Sequence, residues 1–168
     1  MGNWYKLMRK IIKQRQIIAD HWQHVADGEP LPAGPVIVSL VRWQAEREAL
    51  LVHPDKLGVR LQSDDVVADI AEDLLHFAVI ALEFPVFRDG RAYSQARLLR
   101  ERYGYRGELR AVGDVLRDQL FFMQRCGIDA YELRSDRDLE DALEAFTEFT
   151  VTYQAAADEP LPLYRRGR

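Results

Sequence analysis

Residues 84–119 read FPVFRDGRAYSQARLLRERYGYRGELRAVGDVLRDQ, and the order of patterns in this stretch decides the fold. Phe84 closes an apolar run, and Pro85 offers no backbone donor to prolong it. Asp89-Gly90 then marks a turn whose glycine would take a left-handed conformation. Ala92, Ala96, Leu99 and Tyr103 recur at helical spacing, and Arg102-Tyr103-Gly104 gives that helix a cation in its last turn and a glycine cap. Residues 108–112 form a second short apolar run. Asp114 stands where it would open a further helix, which ends in the matching piece Arg125-Cys126-Gly127. Strand, loop, helix and strand in this order make the βαβ unit of a parallel sheet.

Outward from this stretch the alternation continues. Apolar runs at 36–40, 58–61, 79–84, 108–112 and 130–133 start 22, 21, 29 and 22 residues apart. Val67, Ile70, Ala71 and Leu74 repeat the helical spacing, as do Leu139, Ala142, Leu143 and Phe146, with Ser63 and Ser135 in N-cap positions. A strand and a covering helix every two dozen residues predict about five parallel βα units, and the class is α/β. Residues 10–19 (KIIKQRQIIA) predict a short hairpin or edge strand with Trp22 packed beneath it. The expected organisation is one domain over 1–168: an N-terminal strand and connector region at 1–35, the βα repeats at 36–150, and a tail at 151–168.

Two architectures fit five βα units: a curled, TIM-like partial barrel and an open doubly wound sheet. Arg60, Glu83, Arg110 and Glu132 each interrupt an apolar strand with a charge. A sheet covered on both faces would bury these at several kcal/mol apiece unless they were paired. In a curled sheet with a polar inner face, arginine and glutamate would neutralise one another around a pocket. The curled form is therefore preferred, with the open sheet as the alternative.

Composition narrows the function. Of 168 residues, 48% are hydrophobic and 30% charged, as in ordinary soluble proteins. No apolar run approaches the roughly 20 residues that span a bilayer, and the N-terminal stretch lacks a secretory core, so a cytoplasmic location is expected. The net charge of −4 argues against nucleic acid. One cysteine, Cys126, leaves no internal disulfide, Cys-x-x-Cys pair or cysteine-ligated cluster. Against this acidic background, residues 84–119 hold eight arginines, no lysine and five acids. Guanidinium groups grip carboxylates, phosphates and sulfates in two-pronged fashion, so an anionic ligand or acidic partner is indicated.

In parallel α/β folds ligands gather at the carboxyl ends of the strands. That rule selects Arg88, Asp89, Gly90, Arg91, Ser94, Arg110, Gly113, Gln119 and Arg134 as an anion- or partner-binding set, with Asp114 as a possible general base or a helix cap. The alternative for the Asp89-Gly90 loop is an Asp89–arginine ion pair that only fixes its shape. Tyr93, Tyr105 and Trp43 are candidate aromatic anchors for a partner. His21 and His24 lie three apart without a third ligand and read as exposed surface histidines, so no metal site is expected. Cys126 at a helix C-terminus reads as structural. No dinucleotide, Walker or nucleophile-elbow motif is present, and no cofactor is evident.

The segment from Phe84 through Gln119, continued by RCGIDAYEL and preceded by PAGPVIVSLVRWQ and KLGVRLQSDD, resembles the bacterial family called domain of unknown function 934. Phe84, Pro85, Asp89, Gly90, Arg91, Arg97, Arg100, Leu109, Arg110, Gly113, Asp114, Gln119 and Cys126 fit its pattern, and Ile128 departs from its more usual phenylalanine. The resemblance implies proteins encoded beside the haemoprotein of assimilatory sulfite reductase and labelled probable oxidoreductases of sulfite reduction. Two expectations follow. The first is an accessory protein of sulfite reduction that binds the reductase or its electron donor. The second is a small enzyme or binding protein for a sulfur oxyanion or phosphorylated metabolite.

Overall fold

The computed structural model describes residues 9–85, 90–134 and 138–147. The chain enters through a hairpin of β1 (Lys10–Lys13) and β2 (Gln16–Ala19). Gln14 and Arg15 form its two-residue loop with φ of 50° and 62°, the positive values whose twist matches the strands they join. A two-residue strand β3 (Gln23–His24) follows. The five apolar runs then become β4 (Val36–Ser39), β5 (Leu57–Leu61), β6 (Val79–Phe84), β7 (Glu108–Gly113) and β8 (Ala130–Tyr131). Strand order is β2-β1-β8-β7-β6-β5-β4-β3, with all pairs from β3 to β8 parallel and β1 antiparallel to both its neighbours. Parallel strands in sequential order, with helices on one face, make a singly wound, curled half-barrel.

Alternation along each strand separates the two faces. Val38, Val59, Leu61, Ile80, Leu82, Leu109 and Ala111 point outward into the main core. Four helices pack there: α1 (Leu40–Leu51), α2 (Arg91–Arg97), α3 (Leu120–Arg125) and α4 (Leu139–Glu144). Tyr93 of α2 stands edge-on between Phe84 of β6, at 5.1 Å, and Phe122 of α3, at 4.8 Å. Trp43 of α1 and Tyr105, expected as anchors for a partner, are instead core residues with 1% and 7% exposure. Their aromatic surface packs the sheet's outer layer.

Several local expectations change. Residues Val67–His76 form 3-10 turns in place of an α-helix, and the Asp65 carboxylate takes the Gln62 amide at 2.7 Å where a Ser63 cap was expected. Asp114 opens no helix: its amide donates to Phe84 O at 2.6 Å, extending the β6–β7 ladder, and α3 begins only at Leu120. Asp138, accepting from the amides of Glu140 and Asp141, caps α4, while Ser135 lies outside the described residues. Gly104 and Gly127, at φ of 64° and 105°, are the left-handed caps the sequence predicts. Gly90 has φ of −91°, which any residue adopts, so no left-handed turn is required there.

The inner face is built in register. Ile37, Gly58, Val79 and Glu108 lie side by side across β4 to β7, and Ser39, Arg60, Ala81, Arg110 and Ala130 form the next row across β4 to β8. Small residues sit beside large ones. Trp22 rests on Ile37, Val79, Ala81 and Val112, so it packs on the inner floor rather than beneath the hairpin. A Cβ on Gly58 would come within 3.0 Å of Val79 O and 3.3 Å of the Trp22 ring.

The link between β2 and β3 shows how tightly the sheet curls. These are the two outermost strands, and in a flat sheet seven inter-strand steps would separate them by about 34 Å. Ala19 and Gln23 are four residues apart, which allows at most about 14 Å. Asp20, His21 and Trp22 therefore form a strap across the open side of the curl. The Asp20 amide donates to Arg9 O at 2.8 Å, and the strap dips inward at the Asp20 and Trp22 side chains.

Gly58→Ala is expected to lower unfolding free energy by about 1–3 kcal/mol, because the new methyl has no room against Val79 O and the Trp22 ring. Urea unfolding measures this, and a loss below about 0.5 kcal/mol would contradict the close packing described.

Candidate functional site

Arg110 lies at the centre of the inner face with 1% of its side chain exposed. Its Nη1 donates to both Asp20 oxygens at 3.0 Å and to Glu132 Oε1 at 2.8 Å, and its Nε donates to Glu108 Oε2 at 2.7 Å. Lys13 reaches Glu108 at 2.8 Å, while Arg9 bonds Asp20 and lies 3.5 Å from Glu132. Burial alone would lower the Arg110 pKa, but the surrounding carboxylates overcome it and raise the value. Arg110 was expected as part of an anion clamp. The structure commits it to this protein's own carboxylates below the mouth of the curl.

Above that tier, at the carboxyl ends of β3, β5, β6 and β7, opens a cleft of about 300 Å³ lined by His24, Arg60, Gln62, Glu83, Val112 and Gly113. His24 Nε2 is 2.9 and 3.1 Å from the Glu132 oxygens, and its Nδ1 is 3.4 Å from an Arg60 nitrogen. The Arg60 Nε lies 3.9 Å from Glu83, beyond hydrogen-bond reach. An imidazole fixed by a carboxylate, with its other nitrogen toward a cleft, is placed to accept or donate a proton. Beside it, a guanidinium held among the described residues by two long contacts can turn to an incoming anion.

Other cavities lie at the amino ends of the strands. One of about 360 Å³ lies between Gln14, Arg15, Arg100, Gly127 and Asp129. One of about 430 Å³ lies between Leu74, Phe77, Tyr103, Tyr105 and Gly107. The first is larger than the cleft, yet its Arg100 is spent on the carbonyls of Gly127, Tyr105 and Gly107 at 2.7–2.9 Å. In parallel α/β folds this end serves stability, so the cleft at the opposite end is the candidate site.

The remaining expected residues are distributed along the rim. Gly113 lines the cleft, and Asp114 follows it half-buried. Arg91 and Ser94 are exposed on α2, Arg134 is exposed beyond β8, and Gln119 is half-buried before α3. Gly90 is exposed ahead of α2, while Arg88 and Asp89 lie outside the described residues. His24 was expected on the surface, but only 23% of its side chain is exposed. The segment is extended, so Trp22 and His24 share the inner face and His21 faces solvent. Among the described residues, no three His, Cys, Asp or Glu side chains converge on a metal position.

Burial by itself would raise the Glu132 carboxyl. The hydrogen bond from His24 and its electrostatic attraction, then Arg110 and Arg9, bring it down from 4.5 to about 2. A depressed carboxyl stabilises the fold fully above its unfolded value and loses that contribution as pH falls through the folded one. The window is therefore pH 4.5 to 2, and about 3 kcal/mol is at stake. Glu132→Gln is expected to flatten the fall in stability across this window, as read by urea unfolding at stepped pH. An unchanged slope would contradict the pairing.

No curated protein and no solved structure matches the chain. One family model does, that of the bacterial protein of unknown function DUF934, over residues 58–164. The match takes in Arg60, Glu83, Arg110 and Glu132, while the strap and His24 precede it. With well over half of its length matched, from β5 onward, the chain belongs to the DUF934 family.

Proposed function

We propose that this protein binds a compact ligand in the cleft through an anionic group held by Arg60. The observation that supports the reading is the contrast between two arginines two strands apart on the inner face. Arg110 donates to three carboxylates at 2.7–3.0 Å, whereas Arg60 has a ring nitrogen at 3.4 Å and a carboxylate at 3.9 Å. A guanidinium carries five donors in a planar fork suited to an oxyanion, and Arg60 lines the cleft. His24, steadied by Glu132, stands where it would exchange a proton with the bound molecule. The implied place in sulfite reduction makes sulfur oxyanions and sulfonates the first anions to test. A docking role toward a sulfite reductase or its electron donor would use the same rim, where Arg91 and Arg134 are exposed. Association with the purified reductase, weakened when both are changed to serine, is its test.

Isothermal titration with sulfite, sulfate, ethanesulfonate and acetate is expected to show at least one anion binding with millimolar affinity or better. Arg60→Ala should weaken it by about tenfold or more, as loss of a charge-assisted hydrogen bond does. Binding of equal strength to wild type and Arg60→Ala, or of none of the four to wild type, would contradict the reading.

A further inference from the structure

Resting on the role given to Arg60 above, we infer that the ligand of the cleft is a small zwitterion, an amino acid or aminosulfonate whose ammonium group is recognised by Glu83. The charges of the cleft fall into two sorts. Glu132 is saturated by His24 and Arg110, with Arg9 nearby. Glu83 is different: among the described residues its carboxylate meets only Arg60, at 3.9 Å, and 32% of its side chain is exposed.

The register explains why the pair is loose. Arg60 stands directly beside Ala81, so Glu83 lies one inward-facing position nearer the mouth, beside Val112. The two opposite charges thus line one opening without closing on each other. A bare dianion seated on Arg60 would also face the Glu83 carboxylate, and in a partly desolvated cleft that repulsion is poorly screened. An ammonium one or two carbons from the anionic group turns the same carboxylate into a partner. The aliphatic part of such a molecule has Val112 to rest on, and Gln62 adds a polar side chain at the rim. A volume of about 300 Å³ suits a compact ligand of this class rather than a nucleotide.

The test compares ligands that differ only in the ammonium: taurine against ethanesulfonate, and glycine against acetate, titrated into wild type and Glu83→Gln. On wild type the ammonium should tighten binding by about tenfold or more in at least one pair, the size of one charge-assisted contact. In Glu83→Gln that gain should fall below about twofold, while ethanesulfonate or acetate binds as well as before or better. Equal affinities within both pairs on wild type would overturn the zwitterion and leave the anion site standing, with no variant needed. A gain that survives Glu83→Gln would overturn the role of Glu83. Absence of binding by all four ligands would overturn this inference, and it would remove the anion site as well only if sulfite and sulfate also fail to bind.

Discussion

Arg110 and Asp20 meet at the centre of the curl, and the placement of the strap on the inner face follows from their contact. The side chain of Asp20 has no solvent exposure and that of Arg110 has 1%. Stripping two such charges of water costs several kcal/mol per ion, which their attraction offsets only when the remaining donors and acceptors are also filled. Here Glu108 and Glu132 take further Arg110 contacts, Arg9 also bonds Asp20, and Lys13 holds Glu108. A network paired this closely favours the arrangement in which the β2–β3 strap lies against the middle of β7.

The two tiers of the inner face differ for the same reason. In the lower tier the hairpin delivers Arg9 and Lys13 and the strap delivers Asp20, so charges arrive from three directions and pair closely. Nothing comparable reaches the upper tier from the hairpin. His24 arrives at the end of β3 and takes up Glu132, leaving Arg60 and Glu83 facing each other across 3.9 Å. A half-barrel that needs its lower charges to hold its curvature thereby keeps a partly unpaired set at its mouth, where parallel strands end and ligands are commonly bound.

Much of this was legible in the chain. The spacing of the five apolar runs places β4 to β8 within a residue or two. The interrupting charges Arg60, Glu83, Arg110 and Glu132 point to a curled sheet with a polar inner face, because only there do they find one another. What the sequence hides is long-range. The strap carries no propensity signal, and β3 is two residues long, so its pairing to β4 rests on tertiary geometry. His24 belongs to that same segment and read as a surface residue because its true neighbours are 36 and 108 residues away. The hairpin loop lacks the usual Asn-Gly, its positive φ falling on Gln14 and Arg15. Of the arginines in residues 84–119, Arg110, expected in the anion clamp, faces the protein's own carboxylates, and Arg100 faces its carbonyls.

The central claim is that Asp20 and Arg110 act as one unit that draws the strap onto the sheet. A double-mutant cycle with Asp20→Asn, Arg110→Met and the pair, followed by urea unfolding, measures this directly. The two losses should be strongly non-additive, with a coupling of about 1–3 kcal/mol, as for contacting residues of one buried network. Additivity within about 0.5 kcal/mol would contradict it, because strap and sheet would then be held together by other means.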